Sequence, residues 1–256
     1  MNLLYIRPVL ILLVLVKAAH GQVTEDKFGA IVRGDTSKKE LALVFTGDEF
    51  ADGGKVIRRT LNKNSVRASF FFTGRFYANR EFGSLIKGLR KDGHYLGAHS
   101  DDHLLYCDWT KRDSLLVTEE QFRADLRRNY QKMAGFGIQK NDAEYFLPPY
   151  EWYNLMISKW TGEEDLKLVN FTHGTRSTAD YTYPEMGKSY RSSEEIYRSI
   201  FEYEAKDKNG LNGFILLIHI GTDPRRTDKL YNRLDAMIRQ LKGMGYRFKT
   251  IDELLN

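Results

Sequence analysis

The feature that most constrains the fold is the alternation of short apolar segments with amphipathic ones along residues 40–255. Segments that are apolar throughout are typical of strands buried on both faces, as in a parallel sheet covered by helices. The pattern therefore predicts an α/β fold with a parallel sheet of about seven strands, most simply a barrel or a distorted parallel (β/α) barrel. The predicted strands are residues 41–46, 66–73, 94–98, 145–147, 166–171, 214–220 and 246–249.

Local signals place helices between these strands. Thr118 with Gln121, and Ser192 with Glu195, have the spacing of capping boxes, in which two side chains satisfy backbone N–H groups at a helix start. Apolar residues at helical spacing follow both. Chemistry in such folds gathers at the carboxyl ends of the strands. Residues 46–49, 99–103 and 148–150, together with His219, all fall at such ends.

The amino terminus has the layout of a secretory signal peptide. Arg7 precedes eight apolar residues at 9–16, and the small residues Ala18, Ala19 and Gly21 follow. Eight apolar residues are too few to span a bilayer, which needs about 20. We therefore expect a signal peptide over residues 1–21 and one catalytic domain over 22–256, exported to the periplasm or secreted, with no membrane span in the mature chain. The alternative is a short membrane anchor.

Charge and cysteine content exclude some classes of function. The formal net charge is +5, but basic and acidic residues are interspersed, so we expect no nucleic-acid partner. Cys107 is the only cysteine, and an exported form of this chain therefore has no intramolecular disulfide. We expect Cys107 to be a buried small apolar residue rather than a nucleophile.

His99 and His103 form an H-x-x-x-H pair directly after a predicted strand. Imidazoles four residues apart share one face of a helical turn, so both can bind one divalent metal ion. The alternative is two solvated or hydrogen-bonded histidines in a loop. Polar groups on neighbouring strand ends favour the metal site.

Three segments resemble one known family. Residues 99–103 match the motif H-[ST]-x-x-H, residues 66–71 are similar to its V-x-A-T-F-F strand, and residues 216–219 match L-x-I-H. On these motifs, the chain resembles the polysaccharide deacetylases of the NodB-homology type, carbohydrate esterase family four, over about residues 40–255. The resemblance implies a hydrolase that removes acetyl groups from an N- or O-acetylated glycan. It also implies a metal held by an aspartate and two histidines, with His219 as general acid.

The first motif of this family, T-F-D-D-G, is altered. Its first aspartate is the base and its second is a metal ligand, whereas this chain has Thr46-Gly47-Asp48-Glu49. One register makes Asp48 the base and Glu49 the ligand. The ungapped register, which we prefer, places Thr46 and Gly47 at the aspartate positions. Asp48 can then still reach the metal if the loop bulges by one residue, which Gly47 would permit, and Glu49 is left as the base.

The third and fourth motifs are altered as well. Leu147 stands where the family has an arginine that holds the base, while Tyr150 remains and implies a backbone oxyanion donor. The aspartate that tunes the acid histidine has no clear counterpart, although Asp180 is a possible substitute from the following loop.

These matches imply a metal-dependent polysaccharide deacetylase. The ligands would be Asp48, His99 and His103 for a divalent ion, zinc or alternatively cobalt or nickel. Glu49 would take the proton from water, or Asp48 in the other register, and His219 would protonate the leaving group. The altered motifs also favour an alternative, a catalytically impaired carbohydrate-binding relative, and a third option is a hydrolase of another amide or ester.

Overall fold

The computed structural model describes residues 23–256, so the predicted signal peptide lies outside the described residues. Nine strands form one sheet: β1 (Thr24–Glu25), β2 (Ile31–Arg33), β3 (Glu40–Gly47), β4 (Ser69–Phe72), β5 (Tyr95–Ala98), β6 (Tyr145–Phe146), β7 (Lys167–Leu168), β8 (Phe214–His219) and β9 (Arg247–Lys249). The seven predicted strands correspond to β3 through β9. The two short strands before them were not predicted.

The helices lie between the strands, as the amphipathic segments predict. They are α1 (Gly54–Lys63), α2 (Gly74–Ala78), α3 (Gly83–Lys91), α4 (Glu119–Ala134), α5 (Leu155–Glu163), α6 (Ser193–Lys206), α7 (Leu234–Gly243) and α8 (Ile251–Leu255). Both predicted capping boxes are present, at the starts of α4 and α6. Short 3₁₀ turns include Pro149–Glu151 and Ser177–Tyr181. None of the helices within residues 23–256 has the length and apolar character to cross a membrane.

The sheet has the order β1-β2-β8-β3-β4-β5-β6-β7, with β9 paired to the start of β3. In this order, every neighbouring pair between β8 and β7 is parallel. Strand β1 pairs antiparallel with β2, and β2 pairs antiparallel with β8. The sheet curls back on itself, because Ile31 in β2 forms a parallel bridge with Val169, just after β7. The predicted α/β fold with a distorted, mainly parallel barrel is therefore confirmed.

The core fills the space between this sheet and the helices. Strands β4, β5 and β6 are buried at every residue, and β3 is buried from Leu41 onward. Ile57 and Leu61 of α1 pack inward as their spacing predicts. Cys107 is buried, and burial raises the pKa of its thiol, in agreement with the expected role in packing. Because the central strands run parallel, their carboxyl ends form one rim, and the residues that follow them face a shared cleft.

Candidate active site

An open cleft of about 800 Å³ lies over the carboxyl ends of β3, β5, β6 and β8. Every residue that the sequence predicted as catalytic, metal-binding or substrate-binding lines this cleft: Asp48, Glu49, His99, His103, Tyr150 and His219. The structure thus brings together in space a set of side chains that spans 171 positions of the sequence, from 48 to 219. Leu147 is fully buried beneath the rim.

His99 and His103 lie in a loop rather than on the helical turn that their spacing suggested. No helix or strand covers residues 99–106, and Ser100 and His103 have φ of 72° and 54°. The buried carboxylate of Asp125 in α4 holds the loop by accepting from the Ser100 hydroxyl at 2.7 Å and from the backbone N–H of Asp101 and Asp102 at 2.9 Å each. The expectation of a helical turn was wrong because this distant carboxylate supplies the hydrogen bonds that a helix would supply internally.

The histidine pair has the protonation state that metal binding needs. Nδ1 of His99 lies 2.7 Å from the carbonyl oxygen of Leu147 and donates to it, which leaves Nε2 as the nitrogen with a free lone pair. Burial, reinforced by His103, lowers the pKa of His99 to about 3. Burial and the positive charge of Arg75 lower the pKa of His103 to about 4. Both rings are therefore neutral at pH 7, and their centroids lie 5.1 Å apart.

Asp48 lies beside this pair, and its carboxylate is held by other groups. Oδ1 accepts from the Thr73 hydroxyl at 2.8 Å and from Arg75 Nε at 3.1 Å, and Oδ2 accepts from Arg75 Nη2 at 2.6 Å. Oδ2 also lies 4.0 Å from His103 Nδ1. Two neutral imidazoles and a carboxylate are suitable donors for a divalent ion. Asp48, however, approaches His103 without closing a compact set with both histidines.

Within residues 23–256, one trio of potential ligands has its atoms within 4.8 Å of one another, and its members do not line the cleft. It consists of Asp101, Asp102 and Asp125. Arg128 bridges all three carboxylates, and Lys132 adds a contact of 2.7 Å to Asp101. Because cations of the chain already neutralise these carboxylates, the trio acts as the anchor of the histidine loop.

The end of β3 carries no carboxylate. Thr46 pairs with His219 across the sheet and Gly47 pairs with Phe72, in a continuous register. The strand pairing thus shows no bulge up to Gly47, and Asp48 lies in the loop that follows. A Cβ atom at Gly47 would lie 2.7 Å from Ile220 and 2.9 Å from Phe72 and Phe76, so this position has no room for a side chain. The buried Thr46 hydroxyl has no hydrogen-bond partner within the described structure and lines the cleft.

Glu49 lines the outer part of the cleft. Its side chain is 63% exposed, and its nearest ionic neighbour is Arg75, at 3.9 Å. An exposed carboxylate beside an arginine is well solvated. The geometry gives Glu49 no partner that would orient it toward the histidines.

His219 ends β8 on the other side of the cleft and is held by Asp180. Nδ1 of His219 lies 2.6 Å from Asp180 Oδ1, and the backbone N–H of His219 donates to Oδ2 at 2.9 Å. Burial acts to lower the pKa of His219, but the charge and hydrogen bond of Asp180 outweigh burial and raise it. The structure therefore agrees with the suggestion that Asp180 stands in for the aspartate missing from the fourth motif. Asp180 favours the protonated form of His219.

Glu151 is the cleft residue that the sequence analysis missed. It follows Tyr150 in the turn after β6, and both residues have positive φ, 58° for Tyr150 and 52° for Glu151. Burial raises the pKa of Glu151 to about 7, with His219 acting in the opposite direction and Asp180 in the same direction. The one available signal was a carboxylate beside Tyr150 at a predicted strand end.

Aromatic side chains form the cleft walls. The ring of Tyr150 lies 4.4 Å from that of His103 and 5.6 Å from that of Trp109, and Trp109 packs on Trp152 at 5.5 Å. On the other side, Tyr181 packs on His219 at 5.5 Å. Trp109 and Tyr181 are about half exposed. Exposed rings beside polar groups offer flat surfaces on which sugar rings stack.

Comparisons with known proteins identify similar sequences. Residues 33–168 match the family model described as polysaccharide deacetylase. The peptidoglycan-N-acetylmuramic acid deacetylase PdaA of Bacillus subtilis (strain 168) is 28% identical over 236 residues, which cover 90% of this chain and 76% of that protein. The chitin deacetylase of Colletotrichum lindemuthianum is 27% identical over 201 residues, which cover 76% of this chain and 71% of the relative.

Two solved structures give the same picture of the fold. The structure of Bacillus subtilis PdaA, described as a family 4 carbohydrate esterase, has a TM-score of 0.68 and 25% identity, covering 89% of this chain and 85% of that one. BA3943 of Bacillus anthracis, described as a CE4 family pseudoenzyme, has a TM-score of 0.68 and 19% identity, covering 90% of this chain and 69% of that one.

Proposed function

Because the chain belongs to the polysaccharide deacetylase family, we propose that it is a metal-dependent hydrolase that removes acetyl groups from an N- or O-acetylated polysaccharide outside the cytoplasm. One observation carries the proposal: two neutral imidazoles, His99 and His103, share a cleft with His219, which Asp180 tunes to carry a proton. Peptidoglycan and chitin, the substrates named for relatives, are the first candidates.

His99 and His103 would hold the divalent ion, with Asp48 as the third donor beside His103. The ion, zinc or alternatively cobalt or nickel, supplies Lewis acidity toward the acetyl carbonyl and toward water. The Leu147 carbonyl supports this arrangement, because it fixes His99 in the tautomer with Nε2 unprotonated.

The chain's own groups would do the remaining work. The backbone N–H of Tyr150 is the proposed donor to the developing oxyanion. His219, whose pKa is raised by Asp180, would donate its proton to the leaving nitrogen or oxygen. A carboxylate would take the proton from the attacking water; the sequence predicts Glu49 for this role, or Asp48. Tyr150, Trp109 and Tyr181 offer rings on which the glycan would stack.

The direct test measures acetate release from a panel of substrates with added zinc, cobalt or nickel. The panel comprises peptidoglycan, an N-acetylglucosamine hexamer, an O-acetylated xylan and a non-sugar acetyl ester. We expect release from at least one glycan. A His99→Ala, His103→Ala double variant is expected to lose both bound metal, measured by mass spectrometry, and acetate release. Retention of both would refute the metal-site proposal.

A second candidate function is a catalytically impaired, carbohydrate-binding relative. It is favoured by the end of β3, which has Thr46 and Gly47 where the family has aspartates, and by Leu147 at the arginine position. This candidate predicts binding of the same glycans by calorimetry and no acetate release with any of the three metals.

A further inference from the structure

The structure restricts which carboxylate can activate water. A general base must face the reacting centre and have a lone pair that is not already engaged. The strand end opposite His219 offers only the Thr46 hydroxyl and the side-chain-free Gly47. The base must therefore come from a loop of the cleft, where the carboxylates are Asp48, Glu49 and Glu151, together with Asp223 at the rim.

Three of these four carboxylates have other partners. Asp48 accepts three hydrogen bonds, two of them from the Arg75 guanidinium, so its lone pairs are already engaged. Asp223 is engaged in the same way by Arg225, at 2.5 and 2.9 Å. Glu49 is mostly exposed and lies nearest to Arg75. Each of the three therefore has an arginine as its neighbour.

Glu151 has the opposite surroundings. No hydrogen bond or ion pair within residues 23–256 engages its carboxylate, and the residue is half-buried in the cleft wall. Its backbone is held in place, because its N–H donates to the Pro148 carbonyl at 3.0 Å and its carbonyl accepts from Asn170 Nδ2 at 3.1 Å. The left-handed backbone at Tyr150 and Glu151 is unfavourable for residues with side chains, and such strain is concentrated at functional sites.

The surroundings of Glu151 also suit a group that exchanges protons near neutral pH. Burial raises its pKa to about 7. The ionisable groups that act on it are His219 at the end of β8 and Asp180 in the turn Ser177–Tyr181. His219 favours the ionised carboxylate and Asp180 disfavours it. Glu151 and His219 are thus close enough for each to affect the pKa of the other.

We propose that Glu151 is the catalytic base of this site. The inference rests on the deacetylase function proposed above. As the water oxygen bonds to the acetyl carbon, one water proton passes to the Glu151 carboxylate. When the bond from the acetyl carbon to nitrogen or oxygen then breaks, His219 gives its proton to the leaving atom. The products are acetate and the free amine or hydroxyl, and solvent exchange returns Glu151 and His219 to their starting states.

The test compares Glu151→Gln, Glu151→Asp and Glu151→Ala with the wild type, on the N-acetylglucosamine hexamer and on peptidoglycan. Loss of a general base costs about 10² to 10⁴ in rate, so we expect kcat of E151Q to fall at least 100-fold with KM within threefold. Zinc affinity, measured by calorimetry, is expected to stay unchanged. Glu202→Gln, an exposed substitution on α6, serves as the matched control with wild-type activity.

Two further readouts separate a base from a structural residue. Formate added to E151A is expected to restore part of kcat, because a small carboxylate fits the vacated space. The wild-type kcat/KM is expected to rise with pH up to about 7, and this acidic limb is expected to be absent from the residual activity of E151Q.

The outcomes are distinguishable. E151Q with wild-type kcat, or E49Q that loses activity while E151Q keeps it, would overturn the assignment of Glu151 and leave the deacetylase function standing. Loss of zinc affinity in E151Q together with failure of formate rescue would also overturn it, in favour of a structural role. A wild-type protein that releases no acetate from any substrate would overturn both proposals.

Discussion

The buried carboxylate of Asp125 is expected to be the most sensitive support of the candidate active site. It lies on α4 and is fully buried, and it accepts three hydrogen bonds of 2.7 to 2.9 Å from the histidine loop. At the low end of the range, each hydrogen bond to an ionised group adds about 1.5 kcal/mol to the free energy of unfolding. Three such bonds therefore add about 4.5 kcal/mol. Removing one partner of a buried ionic contact costs about 3–5 kcal/mol, in the same range.

We therefore expect Asp125→Ala to lower the free energy of unfolding by about 3–5 kcal/mol, a large part of the 5–15 kcal/mol typical of a domain. Asp125→Asn conserves volume, yet it turns an N–H₂ group toward donors of the loop, so we expect a loss of similar size. Ser100→Ala removes one hydrogen bond and is expected to cost about 1–2 kcal/mol. Urea denaturation followed by fluorescence measures all three.

The same variants test the link between the anchor and the proposed metal site. Groups that orient metal ligands typically change metal affinity 10- to 100-fold, so zinc is expected to bind Asp125→Asn at least tenfold more weakly in calorimetry at a temperature where the variant is folded. Asp113→Ala, an exposed substitution, is the control for loss of charge. If D125A lost less than about 1 kcal/mol of its free energy of unfolding and kept wild-type zinc affinity, the assignment of Asp125 as the anchor would be refuted.

Three further predictions concern other parts of the molecule. Asp180→Asn removes the charge that raises the pKa of His219, so the alkaline limb of the kcat/KM profile is expected to move to lower pH. The pair of Asp180 and protonated His219 stabilises the fold at acidic pH. The loss in free energy of unfolding is therefore expected to be larger at pH 5 than at pH 9. Gly47→Asp, which would restore a family-like carboxylate, is expected to lower thermal stability without raising activity, since Ile220, Phe72 and Phe76 occupy the space around its Cβ. Thr118→Ala removes the α4 capping box and is expected to cost about 1 kcal/mol in urea denaturation.

Much of the fold followed from the sequence because its signals are local. Apolar runs such as residues 41–46 and 214–220 form the central strands, because a central strand of a covered parallel sheet is buried on both faces and is therefore apolar throughout. Capping boxes predicted the starts of α4 and α6, because the groups that form them lie three residues apart. The cleft itself was predictable, since parallel strands put their carboxyl ends on one rim.

The sequence by itself also indicated most of the functional residues, since His99, His103 and His219 fall at predicted strand ends. It offered Asp180 only as a possible partner of His219 and indicated no partner for the other residues. Asp125 holds the histidine loop from 24 residues away, Asp180 holds His219 from 39 residues away, and Arg75 reaches Asp48 across 27 residues. Only the tertiary structure decided these partners, and with them the inward position of Glu151, because hydrogen bonding and burial depend on distances in space that local periodicity does not encode.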